Sequence, residues 1–156
     1  ELSGQGDAAM DLVEQALAID VDVPWAHHAL AHALIPKGRD ADAVTRLTPL
    51  LELWERDGRV IHCHNAWHLA VAHLDVLDDD GARALFANHV WGVVPDSPGE
   101  QVDAISLLWR LEMGGWSVDE AVWSDVADHV EHRVHEVFMP FLNAHHAYAL
   151  ARAGRD

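Results

Sequence analysis

A short phrase that keeps returning constrains this chain more than any other feature. ALIPKGR at 33–39 comes back as ALARAGR at 149–155, matching at Ala, Leu, Gly and Arg. Two related phrases, HLDVLDD from His73 and RLEMGGW from Arg110, fall in the same phase between them. With Leu34, Leu74, Leu111 and Leu150 as markers, the steps are 40, 37 and 39 residues. A period in this range belongs to arrays of small units, none of which buries its apolar face alone.

Each unit reads as an apolar helix, a turn at Gly38, Asp79, Gly115 or Gly154, and a second, amphipathic helix. Second helices are expected over 41–55, 81–93 and 118–137. In the first, Ala43, Leu47, Leu50, Leu51 and Trp54 follow the three- and four-residue steps of a buried helical stripe. Pro24, the Asp57-Gly58 turn, the 95–99 run and Pro140 punctuate the helices. No segment alternates apolar and polar residues long enough to make a strand. The fold expected is all-α, with antiparallel helix hairpins stacked as a short α-solenoid over a single domain, 1–156, in units near 1–20, 24–56, 61–94, 101–137 and 140–156. The stretch 6–19 reads as a second helix without its first, and 154–156 stops where another should begin. The expectation is a fragment of a longer array whose uncapped ends could pair as a homo-oligomer.

Composition narrows the partners. Ten Lys plus Arg against 26 Asp plus Glu leave a net charge of -16, which repels phosphate backbones and anionic lipid surfaces. Neither nucleic acid nor a membrane is an expected partner. One cysteine, Cys63, forms no internal disulfide, and no signal-like or membrane-spanning run is seen, so a cytoplasmic protein is expected.

The chemistry sits in histidines. IHCHNAWHLAVAHLDVL at 61–77 carries His62, His64, His68 and His73 around Trp67, and PWAHHALAHAL at 24–34 carries His28 and His32 after Trp25. His64 and His68, like His28 and His32, are four apart and share a helical face. In the marker register His28 falls on His68, so the two pairs should meet on the concave side. Imidazoles converging from two helices could hold zinc, copper, nickel or iron, which makes His28, His32, His64 and His68 candidate ligands of a divalent transition metal. The same rings could instead fill the seam as hydrogen-bonded packing. In the third unit, Asp103 and Arg110 are seven apart and share a face. Arg110 could clamp a carboxylate or phosphate while Asp103 orients it or a nearby imidazole, with His145 completing the group. An inter-repeat ion pair is the plainer role for the two. His129, His132 and His135 drift around a helix and read as a solvated face. Trp25, Trp67 and Trp109 lie on first helices, as packing units or as groove walls.

PWAHHALAHALIPKGR, HNAWHLAVAHLD, DAISLLWRLE and FLNAHHAYALARAGR together resemble the tetratricopeptide repeat protein 38 family, a divergent branch of the helical repeats. The resemblance covers nearly the whole chain and implies a tetratricopeptide-like superhelix of hairpins. It would place Trp25, His28, His32, His64, His68, His73, Asp103, Trp109, Arg110 and His145 in the family pattern. Ile35, Pro36 and Asn143 depart from it. No particular reaction comes with the name.

Two functions follow as expectations. The first is a binding module whose concave face holds a peptide segment or small molecule, with Trp25, His32, His64, Trp67, His73 and Trp109 as contacts. The second is an enzyme in the same groove, metal-assisted or acid-base, using His28, His68, Asp103, Arg110 and His145 on a small anionic substrate.

Overall fold

A computed structural model of the chain describes residues 6–57, 59–136 and 139–155. Gly58 of the expected Asp57-Gly58 turn, Val137 at the end of the expected third second-helix, and 1–5 and 156 of the terminal units lie outside the described residues. The fold is all-α, and no strand occurs among the described residues. The helices are α1 (Gly6–Ile19), α2 (Pro24–Leu34), α3 (Asp40–Leu47), α4 (Leu51–Asp57), α5 (Arg59–Asp75), α6 (Asp79–Leu85), α7 (Pro98–Met113), α8 (Glu120–Val130) and α9 (Pro140–Arg152). None of them is long and apolar enough to cross a membrane.

Local chemistry explains the boundaries. Pro24, Pro98 and Pro140 occupy the first turns of α2, α7 and α9, where a missing N–H costs nothing. At the other ends one bond recurs. The carbonyls of Leu34, His73, Leu111 and Leu150 accept from the N–H groups of Arg39, Asp78, Trp116 and Arg155, at 3.2, 2.9, 3.0 and 2.9 Å. This six-to-one closure needs a left-handed residue just before the donor. Gly38, Gly115 and Gly154 supply it, with φ of 68, 90 and 67°.

The second turn corrects the reading of the sequence. It is made by Leu77, at φ 63°, and not by Asp79, which opens α6. No glycine is there, and Asp78 compensates. Its carboxylate caps α6 by accepting from Gly81 N–H (2.9 Å) and also receives His73 Nδ1–H (2.7 Å). Helix ends therefore recur at steps of 39, 38 and 39 residues, and the Leu74 marker is one position late.

The second helices are less regular than their periodicity suggests. Pro49 interrupts 41–55, so a 3-10 turn over Thr48–Leu50 separates α3 from α4. The 81–93 stretch continues α6 only as a π turn over Phe86–Val90. Helix α8 ends at Val130 and closes in a 3-10 turn over Glu131–Arg133.

Helix α5 occupies the middle of the molecule. It packs against α2, α3, α4 and α6 on its own side of the chain and against α7 beyond, and α7 packs in turn on α8 and α9. The core between these layers holds Leu30, Leu34, Leu69, Ile105, Leu107 and Leu111. The fully buried tryptophans are Trp54 and Trp123, from α4 and α8, rather than the first-helix indoles.

One buried acid fixes the loop that aims α7. Glu100 accepts from the successive N–H groups of Gly92, Val93 and Val94 (2.7, 3.0 and 2.5 Å) and from the Cys63 thiol (3.1 Å). Burial and this carboxylate push the Cys63 thiol far above its usual pKa, so it is an inert donor. Glu100→Ala should strand these donors and cost about 2 kcal/mol, read as a fall in urea midpoint. An unchanged midpoint would mean that the loop is held by other contacts.

Candidate functional site

The paired histidines of α2 and α5 interdigitate where these helices pack. The His28 ring lies 5.0 Å from His64 and 5.1 Å from His68, and His32 lies 4.5 Å from His68, between ring centroids. One ring nitrogen from each of the four falls within 4.8 Å of all the others. His28 and His68 are thus neighbours, as the sequence reading expected. By the helix-end register, however, His28 corresponds to Trp67. It reaches His68 by sitting in the gap between His64 and His68.

Hydrogen bonds settle much of the protonation. A carboxylate only accepts, so His64 Nδ1, at 3.0 and 3.1 Å from the two oxygens of Asp103, carries a hydrogen and donates it there. Asp103 is itself buried in α7. His28 and His32 meet through their Nε2 atoms at 2.9 Å, one donating and one accepting. His68 is buried, and its Nε2 has no hydrogen-bond partner. Burial, reinforced by the imidazoles of His64, His32 and His28, drives its pKa down to about 2, so it is a neutral ring at ordinary pH. Imidazole nitrogens backed by a carboxylate form a donor set for a transition metal, and these four residues are the ones that could hold it.

Beside the cluster lies a cavity of about 590 Å³ bounded by α5, α7, the start of α9 and Met139. His64 belongs to both places. Trp67, Trp109, Val102, Met139, Phe141 and Leu142 supply an apolar wall, and Asp103, Ser106, Arg110 and His145 supply its polar points. Trp67 stacks on His64 (5.5 Å, 10°), and the Arg110 guanidinium sits over Trp67 at 5.4 Å. Arg110 Nη1 donates to the Ser106 carbonyl at 3.1 Å and to its hydroxyl. Burial lowers the Arg110 pKa against the opposing pull of Asp75, yet a guanidinium stays charged. His145 is buried. Its Nδ1–H donates to the Phe141 carbonyl (2.8 Å), which leaves Nε2 as a lone-pair nitrogen. Trp109 stacks on Tyr148 at 4.7 Å.

The expected site residues thus divide. Asp103, Arg110, His145, Trp67, Trp109 and His64 share the cavity, whereas His28, His32 and His68 cluster behind His64. Asp103 meets His64 and not Arg110, so the two do not form the expected ion pair, and Asp103 instead links α7 to α5. Trp25 stands 67% exposed with its ring edge-on to His28. His73 belongs with neither group. It holds Asp78 at the α5–α6 turn, packed so closely on Gly81 that a Cβ there would meet its Nδ1 at 2.5 Å.

Reasoning from sequence missed Ser106 and Phe141, which precede Arg110 and His145 by one helical turn. That four-residue spacing was the available signal. His132 and His135 are exposed as expected, though beyond the end of α8, whereas His129 is half-buried, edge-on to Trp91 and with Nδ1 at 3.3 Å from Asp96. No protein-family model matches the chain, and no solved structure matches it.

Proposed function

We propose that this chain is a tetratricopeptide-like helical-repeat module, akin to the tetratricopeptide repeat protein 38 family, that binds a small molecule in the groove formed by α5, α7 and α9. The ligand has an apolar or aromatic body and one anionic group. What carries the reading is the cavity itself: about 590 Å³, in the range of small-molecule sites, with a mostly apolar wall and a few convergent polar groups. Trp67 and Trp109 flank the body of the ligand, and the remaining donors of the Arg110 fork meet its carboxylate or phosphate. The recurring helix ends and the packing of α2 on α5, α5 on α7 and α7 on α9 support stacked hairpins with the first helices lining one face.

Aromatic and aliphatic carboxylates such as indole-3-acetate, hydrocinnamate and octanoate are the probes. At least one is expected to raise the melting temperature, and Arg110→Met should weaken it about 10- to 100-fold, the loss of a charge-assisted contact. A flat response to all carboxylates and to inorganic phosphate would remove the anionic-ligand reading.

Catalysis in the same groove is a second reading, favoured by the His64–Asp103 pair. A carboxylate on Nδ1 makes the opposite nitrogen a better base, and Arg110 lines the same cavity to stabilise developing negative charge. In that case Asp103→Asn removes turnover while leaving binding of the carboxylate probe within a few-fold.

A further inference from the structure

We propose that His28, His32, His64 and His68 form a tetrahedral metal centre, of zinc type, that clips α2 to α5. This goes beyond the ligand groove and does not rest on it.

Three observations carry it. The four nitrogens already lie within 4.8 Å of one another, while a tetrahedral zinc site with bonds of about 2.0–2.1 Å needs nitrogen–nitrogen edges of about 3.3 Å. Small side-chain rotations close that gap. The His28–His32 pair sits slightly inside it, at 2.9 Å, and opens as the metal replaces the shared hydrogen. The donor ring gives up its Nε2 proton and takes one up on Nδ1, so a neutral pair binds with no net proton release.

The second observation is the partnerless Nε2 of buried His68. A buried polar atom without a partner is rare and calls for an explanation. A metal supplies one.

Asp103 is the third. Metal-bound imidazoles characteristically donate their other N–H to a carboxylate, which fixes the tautomer and raises the basicity of the ligating nitrogen. His64 does this toward α7, so the centre ties together α2, α5 and α7. The ring pairs of the cluster meet at 46 to 81°, so the four donors approach from different directions. Zinc is the ion that characteristically takes four protein ligands in a tetrahedral shell. Four protein ligands complete such a shell, which is the pattern of a structural site.

The test uses the chain without an affinity tag, stripped with chelator, and titrated with cobalt(II) and then zinc. One equivalent of cobalt should bind with the intense visible absorption of a tetrahedral site, and zinc should bleach it. His64→Gln and His68→Gln should each weaken zinc at least 100-fold, and Asp103→Asn 10- to 100-fold. His73→Gln and His145→Gln should leave it within two-fold. If His68→Gln does not fold, His64→Gln and Asp103→Asn decide.

A weak, octahedral cobalt spectrum would overturn the centre. So would zinc affinity indifferent to His64 and Asp103, since the four-ligand centre backed by α7 would then not exist. A flat response of the wild-type protein to every carboxylate probe, with the cobalt result intact, would sink the groove reading and leave the metal centre standing.

Discussion

Trp54→Ala should destabilise the chain by about 3–5 kcal/mol, a large share of the roughly 5–15 kcal/mol that holds a domain together. The side chain is completely buried, so its removal leaves a cavity that α4 and α5 cannot fully close. A second loss comes with it. Trp54 Nε1–H donates to His27 Nδ1 at 2.9 Å, and His27 Nε2–H donates to the Val21 carbonyl at 2.7 Å. Burial holds the His27 pKa below the usual imidazole value, so this ring works as a neutral relay between α4 and the start of α2. Without the indole its Nδ1 is an orphaned acceptor.

Trp54→Phe separates the two contributions. It keeps much of the volume and should cost about 1–3 kcal/mol through the lost N–H. Trp25→Ala, at an indole mostly in solvent, should stay within about 0.5 kcal/mol. Urea midpoints for the three variants provide the measurement. A Trp54→Ala protein within 1 kcal/mol of wild type would mean that Trp54 does not anchor α4 to His27 and the core.

The all-α class and the pairing of His28–His32 with His64–His68 were legible because both depend on spacing alone. Four-residue steps fix a face, and a period near 39 fixes which faces meet. What spacing could not say was the residue at which each helix ends. Leu74 looks like Leu34, but the αL residue is Leu77, and only the bond from Asp78 N–H to the His73 carbonyl shows it.

His73 illustrates a signal that was available. It lies five residues after His68, about 140° around the helix, so it could not share that face. Asp103 was visible as a charged residue on an apolar helix, but its partner His64 is 39 positions away. Glu100 was invisible altogether. Its role depends on three successive N–H groups converging in the 92–94 loop, and no pattern of residue types encodes that. Tryptophan was misleading for a related reason. First-helix indoles suggested packing, and Trp67 does pack against the core, but Trp25 stands mostly in solvent, Trp109 lines the cavity, and the fully buried indoles come from α4 and α8.

Acid should destabilise the metal-free protein before its carboxylates titrate. In the unfolded chain an imidazole titrates near 6.5, whereas in the fold His68 is held to about 2 by burial and by the three rings around it. Between those values the unfolded state carries a proton that the folded state refuses, so stability rises with pH there and levels off above about 6.5. His68 alone contributes a slope of about 1.4 kcal/mol per pH unit, or about 2 kcal/mol lost on going from neutral pH to pH 5. His27, His62 and His146 are also lowered, each chiefly by burial, and add losses of the same sign. Carboxylates held low, such as Glu112 by Arg152 and Asp78 by the Gly81 N–H, act with this sign as well, but only below their unfolded values near 4.5 and 3.8. The window from pH 7 to 5 therefore isolates the imidazoles. Urea midpoints across it, in chelator, should fall steeply for wild type and less steeply by about one proton for His68→Gln. Parallel curves would mean that His68 takes up its proton inside the fold, which a ring enclosed by three other imidazoles has no anion to support.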